Sequence, residues 1–317
     1  MIQGILKSIG NTPMVNVYID GCIIKAKLEY LNPFGSMKDR AALGVINNNY
    51  DYGFINDKTT IIESSSGNFA IALSGVCASM NLNCICVVDN NITPSNKKII
   101  EQYGSKLICV NTREKNQSFQ ERRIEEVKKY INSNSNTYWS NQYNNELIPK
   151  AYFSLAKEIL NQFSEVERIY LPVSTCGTIA GVSSWIKSNK SSVEIIAVDS
   201  YGSQIFGERI ARNRFTGMGS RIIPGNIKSS IIDRIIRVSD YECLTNCQFL
   251  LKQGFFVGAS SGAVIAAIKK DKGYIKNTAT IFPDRGDRYM DNLYSEKWVN
   301  DNLTELIRED SIVNNLL

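Results

Sequence analysis

Lys38 has the surroundings of a lysine that reacts with an aldehyde. Pro33 and Gly35 predict a turn within residues 32–40. Lys38 follows this turn and begins a helical pattern, with Asp39 in the first turn of the helix. Near a helix N-terminus and a buried turn the neutral amine is favoured, and this form attacks an aldehyde. We therefore predict a Schiff base at Lys38, although a lysine that extends to solvent is the alternative for this segment alone.

A polar loop at residues 64–68 lies between a predicted strand and a predicted helix. Small hydroxyl residues and Gly67 allow the backbone N–H groups and the helix dipole to face a carboxylate. The Asn68 amide has the donors to bind a phenolic oxygen. The loop thus predicts an anion site, and a serine-rich helix cap is the alternative.

A second loop of short residues, 174–178, follows the predicted strand of residues 168–173 and precedes another helical run. Five such residues at a helix N-terminus can surround a phosphate dianion with N–H and hydroxyl donors. Since no Gly-x-Gly-x-x-Gly or Walker lysine is present, a cofactor monophosphate is favoured over a nucleotide. An ordinary capped strand-to-helix turn is the alternative.

Ser260 lies in a third stretch of small residues, 256–263, that leads into a helix. A serine at this place is suited to face a ring nitrogen. Unlike an aspartate, a neutral hydroxyl leaves a pyridine nitrogen largely unprotonated, so the ring is a weaker electron sink. This favours β-elimination over transamination.

The elements that must position these residues alternate between short β-branched runs and helical stretches. The pattern predicts parallel sheets covered by helices, arranged as two lobes with a cleft between them. The predicted strands are residues 61–62, 84–88, 107–110, 169–173, 195–198, 235–238 and 280–282, with a hairpin-like pair at 15–17 and 22–28.

Composition excludes several function classes. The chain has 317 residues, 43% of them hydrophobic, which suits two packed α/β domains. It contains no histidine, so Ser-His-Asp and Cys-His catalysis are excluded and we expect no metal site. The net charge of +5 is spread along the chain, and no apolar run is long enough for a membrane span. We expect a cytoplasmic enzyme that binds neither nucleic acid nor membrane.

In their order and spacing, residues 32–40, 65–68, 174–178 and 258–262 resemble the cysteine synthase family of fold-type II pyridoxal phosphate enzymes. The resemblance spans nearly the whole chain. It implies a tryptophan synthase β-like α/β fold with the cofactor, pyridoxal 5'-phosphate, between two lobes. The smaller domain would comprise residues 36–142, and the larger residues 1–35 and 143–317. A homodimer is also implied.

The same resemblance implies a role for each motif residue. Lys38 would carry the cofactor, Asn68 would bond its 3′-oxygen, and Ser260 would meet the ring nitrogen. The substrate carboxylate would be received by Ser65, Ser66 and Gly67. The cofactor phosphate would be held by Ser174, Thr175, Cys176, Gly177 and Thr178.

Several residues depart from the pattern of a cysteine synthase that uses sulfide. Phe69 replaces the usual threonine, and Cys176 replaces a glycine that is common in the phosphate-binding loop. The charges of Arg221 and of residues 282–289 indicate a cleft that favours anions. These variants resemble the branch that makes N-(2-amino-2-carboxyethyl)-L-glutamate, a step towards 2,3-diaminopropionate in siderophore biosynthesis.

The substrates of that branch are O-phospho-L-serine and L-glutamate, joined through an aminoacrylate intermediate with release of phosphate. Two such anions require guanidinium groups, which bind a carboxylate or a phosphate through two hydrogen bonds. We expect these groups from Arg221 and Arg123, with a hydroxyl from Tyr143. The alternative is a cysteine synthase that uses O-acetylserine or O-phosphoserine with sulfide. A serine/threonine dehydratase and a non-catalytic cofactor-binding protein stay open as further alternatives.

Overall fold

The computed structural model describes residues 3–115, 117–207, 211–271 and 276–315. Its strands are β1 (Met14–Ile19), β2 (Cys22–Lys27), β3 (Thr60–Ser64), β4 (Asn83–Asp89), β5 (Lys106–Val110), β6 (Thr137–Trp139), β7 (Arg168–Pro172), β8 (Glu194–Ser200), β9 (Arg234–Val238) and β10 (Thr278–Ile281). They form two sheets.

Helices connect most of these strands. They are α1 (Lys38–Asp51), α2 (Asn68–Ser79), α3 (Pro94–Gln102), α4 (Phe119–Ser133), α5 (Leu147–Ala151), α6 (Phe153–Gln162), α7 (Gly177–Asn189), α8 (Asp240–Leu251), α9 (Ala259–Lys270) and α10 (Glu296–Asn314). Short 3-10 helices span Gly4–Ser8, Glu29–Leu31, Gly225–Ser229 and Gly286–Tyr289. In the described ranges, no helix is long and apolar enough to cross a membrane.

The smaller sheet is parallel and has the strand order β5-β4-β3-β6. Strand β4 is buried on both faces because its alternate side chains enter different cores. Cys84 and Cys86 pack into the core that includes α2, whereas Ile85 and Val87 pack against Val127 of α4. This near-continuous apolar strand is typical of a parallel sheet covered by helices.

The larger sheet has the strand order β1-β2-β10-β7-β8-β9. Strands β1 and β2 form the antiparallel hairpin that the sequence predicts, and the other pairs are parallel. The smaller sheet lies within residues 60–139, while the larger takes strands from both sides of that range. The domain boundaries at residues 36 and 142 stay a prediction.

The loops of interest leave the carboxyl ends of β3, β7 and β10, the usual place for a ligand in an open α/β sheet. Close packing brings the lysine turn to α2. A methyl group on Gly75 would lie 2.5 Å from the Phe34 ring, so only glycine allows this contact. The aromatic ring of the lysine turn therefore rests directly on the helix that begins at Asn68.

Candidate active site

Lys38 is the first residue of α1, and its amine lies at the loop of residues 174–178. Its Nζ donates to Thr175 Oγ1 at 3.2 Å. The turn before it is anchored to the loop after β10, since the Met37 N–H donates to the Pro283 carbonyl at 2.9 Å and Ser36 pairs with Asp284. The structure thus joins two motifs that are 137 residues apart in the chain.

Burial lowers the pKa of Lys38 to about 8, while the Cys176 thiol and the Asp284 carboxylate act in the opposite direction. The predicted position at a helix N-terminus is confirmed, but removal from water is the main cause of the shift. At pH 7 such an amine is neutral in roughly one molecule in ten, far more than an unshifted lysine. A neutral amine is the nucleophile and base that the chemistry requires.

Residues 174–178, the predicted phosphate-binding loop, follow β7 and include the first two residues of α7. Cys176 has a φ of +60°, the left-handed conformation that favours glycine, and it directly precedes α7. Within the described part of the chain, the N–H groups of residues 175–179 have no protein acceptor. Free N–H groups at a helix N-terminus are suited to hold a phosphate dianion. The loop therefore fits the phosphate of pyridoxal 5'-phosphate.

Two hydroxyls of this loop already have protein partners. Ser174 Oγ donates to the Gly219 carbonyl at 2.9 Å, and Thr178 Oγ1 lies 3.6 Å from Met37 Sδ. Gly177 must be a glycine, since a methyl group there would lie 2.3 Å from Ile148. Phosphate binding by this loop is therefore expected chiefly from the backbone.

The loop before α2 brings Arg123 to the predicted carboxylate site. Ser66 Oγ accepts a hydrogen bond from Arg123 Nη1 at 3.1 Å. The same nitrogen lies 2.7 Å from Asp89 Oδ2, and both side chains are largely buried. Ser65 Oγ caps the helix by accepting from the Ala70 N–H. Gly67 directly precedes α2, and there is open space on its side-chain face.

Tyr143 is half-buried close to this arginine. Burial raises the pKa of Tyr143, and the Arg123 guanidinium opposes the shift. The structure thus brings Ser66, Arg123 and Tyr143 to one place.

Arg221 has an exposed side chain. Its loop is held near β7, because the Gly219 N–H donates to the Val173 carbonyl at 2.8 Å. Its part in substrate binding stays a prediction.

Asp284 is the main residue of the site that sequence reasoning missed. Asn68 Nδ2 donates to Asp284 Oδ2 at 2.6 Å, and the Tyr289 hydroxyl donates to the same oxygen at 2.8 Å. Residues 282–289 were expected to favour anions through their basic side chains. Instead Arg288 Nη2 bonds the Phe34 carbonyl and Arg285 is exposed, so the buried charge here is acidic. Its place directly after a buried strand was the available signal.

Ser260 lies in the first turn of α9 and is fully buried. Two residues before it, Gly258 approaches Asp284 so closely that a methyl group would lie 2.0 Å from Asp284 Oδ1. The third stretch of small residues therefore meets the same carboxylate that holds Asn68. The contact of Ser260 with a ring nitrogen stays a prediction.

Sequence reasoning also missed Asn226, which links the loop of residues 64–68 to the loop of residues 174–178. Its Nδ2 donates to the carbonyls of Gln142 and Thr175 at 2.8 and 3.0 Å. Gln142 Nε2 in turn donates to the Ser64 carbonyl at 3.1 Å. Because Thr175 also accepts from Lys38, these bonds form a continuous path from the carboxylate loop to the lysine. A lone asparagine in an irregular segment gave no sequence signal.

The sequence pattern of the family described as "Pyridoxal-phosphate dependent enzyme" matches residues 5–284. This chain belongs to that family. The predicted fold class, the enzyme prediction and the pyridoxal phosphate cofactor are confirmed, and the similar structures described next support an enzyme of β-replacement.

Solved structures of similar fold cover nearly the whole chain. O-acetylserine dependent cystathionine beta-synthase from Helicobacter pylori is 30% identical, with a TM-score of 0.85 over 92% of this chain and 98% of that one. Cysteine synthase from Entamoeba histolytica is 29% identical, with a TM-score of 0.85 over 93% and 91%. O-ureido-L-serine synthase is 25% identical, with a TM-score of 0.84 over 93% and 96%.

Proposed function

We propose that this pyridoxal phosphate enzyme joins L-glutamate to the β-carbon of O-phospho-L-serine. The products would be N-(2-amino-2-carboxyethyl)-L-glutamate and inorganic phosphate. The observation that carries this proposal is the Arg123 guanidinium, which Asp89 holds against Ser66 in the carboxylate loop. Sulfide itself needs no guanidinium beyond what the carboxylate of the serine substrate uses, whereas glutamate brings two further carboxylates.

Arg123 is prepared for a second anion. Its Nη1 is occupied by Asp89 and Ser66, while its Nε is buried and has no partner among the described residues. A guanidinium fixed on one side keeps its orientation, and its Nη2, which has no hydrogen bond in the described contacts, is the donor left for a carboxylate or a phosphate. With the Tyr143 hydroxyl beside it, this corner supplies both charge and orientation.

Lys38 is the residue that moves protons in the proposed reaction. When bound, pyridoxal phosphate supplies an electron sink at the substrate Cα, with its phosphate held by residues 174–178. The Lys38 amine removes the Cα proton as the bond from the β-carbon to the phosphate oxygen breaks. The glutamate α-amine then forms a bond to the β-carbon and loses a proton, and Lys38 returns a proton to Cα.

A cysteine synthase that uses sulfide is the second candidate. It is favoured by the similarity to cysteine synthase from Entamoeba histolytica, at 29% identity. However, O-ureido-L-serine synthase has a product whose name places oxygen on the β-carbon, so similar folds are not restricted to sulfur nucleophiles. The proposed choice of nucleophile therefore depends on Arg123 and its neighbours Ser66 and Tyr143.

The deciding experiment supplies the holoenzyme with O-phosphoserine or O-acetylserine, each with glutamate or sulfide, and identifies the products by mass. We expect phosphate release with O-phosphoserine and a product that joins serine carbon to glutamate nitrogen. Faster turnover of O-acetylserine with sulfide would overturn the glutamate assignment and establish the second candidate.

We also propose that the enzyme acts as a cytoplasmic homodimer and serves 2,3-diaminopropionate supply for siderophore biosynthesis. Family resemblance supports both points. Light scattering on the purified holoenzyme tests the dimer, and a monomeric mass at micromolar concentration would contradict it. Loss of siderophore after deletion of the gene, with rescue by 2,3-diaminopropionate, tests the pathway.

A further inference from the structure

We propose that Asp284 is a positioning residue of the reaction, which fixes the Asn68 amide in the orientation that presents an N–H to the phenolic oxygen of the cofactor. The proposal rests on the pyridoxal phosphate family and holds equally for a glutamate or a sulfide nucleophile. It assigns a catalytic purpose to a carboxylate that the motif pattern does not include.

The geometry determines which side of the Asn68 amide faces Asp284. Asn68 Nδ2 donates one of its two hydrogens to Asp284 Oδ2 at 2.6 Å. A flipped amide would turn its oxygen towards the carboxylate, which is repulsive. The carboxylate thus holds the nitrogen in place and leaves its second N–H for another acceptor. The Tyr289 hydroxyl, which also contacts the Thr216 carbonyl, donates to the same Oδ2 at 2.8 Å.

The second oxygen of Asp284 is buried and has no hydrogen-bond partner in the described ranges. It faces Gly258, where a methyl group would lie 2.0 Å away. Gly258 is two residues from Ser260, so the carboxylate contacts both Asn68 and the segment that carries Ser260, the residues that the family resemblance assigns to the 3′-oxygen and the ring nitrogen. An unsatisfied buried oxygen indicates a site that a further polar group completes.

The charge of Asp284 also acts on Lys38, whose pKa it raises. The charged groups that influence Asp284 are Arg288, which lowers its pKa, and Asp287, which raises it. Burial raises the pKa of Asp284 most, and the hydrogen bonds from Asn68 and Tyr289 oppose this shift. Removing the carboxylate charge therefore lowers the pKa of Lys38 further.

The test uses Asp284→Ala, which removes the acceptor of the Asn68 amide, beside Asp284→Asn, which keeps the shape and one acceptor oxygen and removes the charge. With whichever donor and nucleophile the enzyme accepts, we expect kcat to fall roughly 10-fold or more, with less than about 3-fold change in KM. We also expect the absorbance maximum of the bound cofactor to shift. The pH below which kcat declines should move to a lower value. The spectrum tests the proposal even if no substrate combination gives turnover.

A double-mutant cycle separates positioning from a merely structural role. If Asp284 acts through Asn68, Asp284→Asn changes kcat less than about twofold in an Asn68→Ala background. Full additivity, or an unchanged spectrum and kcat in the single variant, would overturn the proposal.

Asp240→Asn is the matched control, because this buried carboxylate pairs with Arg214 away from the site. It should lower the melting temperature without changing the spectrum.

Should Asp284→Asn fail to fold, Tyr289→Phe removes a hydrogen bond to the same oxygen and keeps the ring. We expect it to change the cofactor spectrum in the same direction, with a smaller loss of kcat of roughly 2- to 5-fold. A Tyr289→Phe variant with the spectrum and kcat of the wild type would count against the proposal.

Discussion

The amine of Lys38 begins α1 but is withdrawn from water and donates to Thr175, so its environment favours the neutral form. A single residue type at a helix start is common, and its chemistry depends on this local removal of solvent. The same holds for Arg123, a member of a charged helix whose side chain is nevertheless buried by its contacts with Asp89 and Ser66. At the scale of residues, burial distinguishes these two cations from the exposed lysines and arginines of the surface.

In the proposed mechanism, replacing Lys38 by alanine removes both the covalent attachment and the base. We expect turnover to fall roughly 10³-fold, because proton transfer by a positioned group contributes of that order. The purified variant should lack the visible absorbance of an attached cofactor and should not be labelled at position 38 after borohydride reduction. The control is Lys25→Ala, at a partly exposed lysine on β2 that bonds Asn16. Retention of phosphate release in the Lys38 variant would contradict the assignment.

Replacing Arg123 by glutamine removes the charged fork at the carboxylate loop. We expect KM for glutamate to rise roughly 10- to 100-fold, because a hydrogen bond to a charged group is worth about 1.5–3 kcal/mol. Arg123→Lys should recover only part of the loss, since lysine keeps the charge without the fork. Initial rates at varied glutamate measure the effect.

The neighbouring Arg122 is the matched control for this prediction. It pairs with Glu126 on the same helix and does not face the loop of Ser66 in any described contact. Arg122→Gln should therefore leave KM for glutamate within about twofold of the wild type. Equal effects of the two substitutions would indicate a general electrostatic role and would contradict specific binding by Arg123.

At the scale of elements, the loops at the carboxyl ends of β3 and β7 are joined by side chains from outside both motifs. Glu63 at the end of β3 accepts hydrogen bonds from Ser140 Oγ and the Gln142 N–H at 2.7 and 3.1 Å. Asn226 then connects Gln142 to Thr175. The two sheets therefore present their loops in a fixed relation, as a cofactor bound between the loops would require.

Asn226→Ala tests this connection. The change leaves two buried carbonyls without their donor, which costs about 1–3 kcal/mol each at most. We expect a lower melting temperature and a weaker affinity for pyridoxal phosphate, measured by titration of the apoprotein. Asn246→Ala is the control, since that buried amide bonds only the Glu242 carbonyl within α8 in the described contacts. A loss of stability without any change in cofactor affinity would contradict the linking role.

At the scale of the whole molecule, the site draws its residues from both sheets and from nearly the full length of the chain. Such a cleft buries charged groups that a small surface site would leave in water. Asp39 is one of them. Burial raises its pKa to about 7, although the Phe34 N–H and Arg288 oppose the shift.

Asp39 predicts a pH dependence of stability. Between about pH 4 and 7 its carboxyl binds a proton more tightly in the folded protein than in the unfolded chain. Its contribution to stability therefore decreases as the pH rises through this window, by at most about 1.4 kcal/mol per pH unit. Asp39→Asn should flatten the dependence in urea unfolding at pH 4.5 and 6.5. An unchanged slope would contradict this, and the exposed Asp57→Asn is the control.

The sequence by itself determined the local motifs. Lys38 and residues 174–178 are recognisable because a strand, a tight turn and a helix start are encoded by neighbouring residues, and the functional groups lie inside that short pattern. The alternation of strands and helices likewise predicted the parallel sheets. The glutamate specificity stays a proposal, because it depends on how separate motifs meet.

The tertiary structure alone decided how these motifs are supported. Asn68 and Asp284 are 216 residues apart, and Asn226 bonds carbonyls that lie 84 and 51 residues before it. No local pattern marks such partners, because a buried polar group requires a donor or acceptor in space and not at a fixed spacing in the chain. The burial that lowers the pKa of Lys38 arises in the same way, from segments that only the fold brings around its amine.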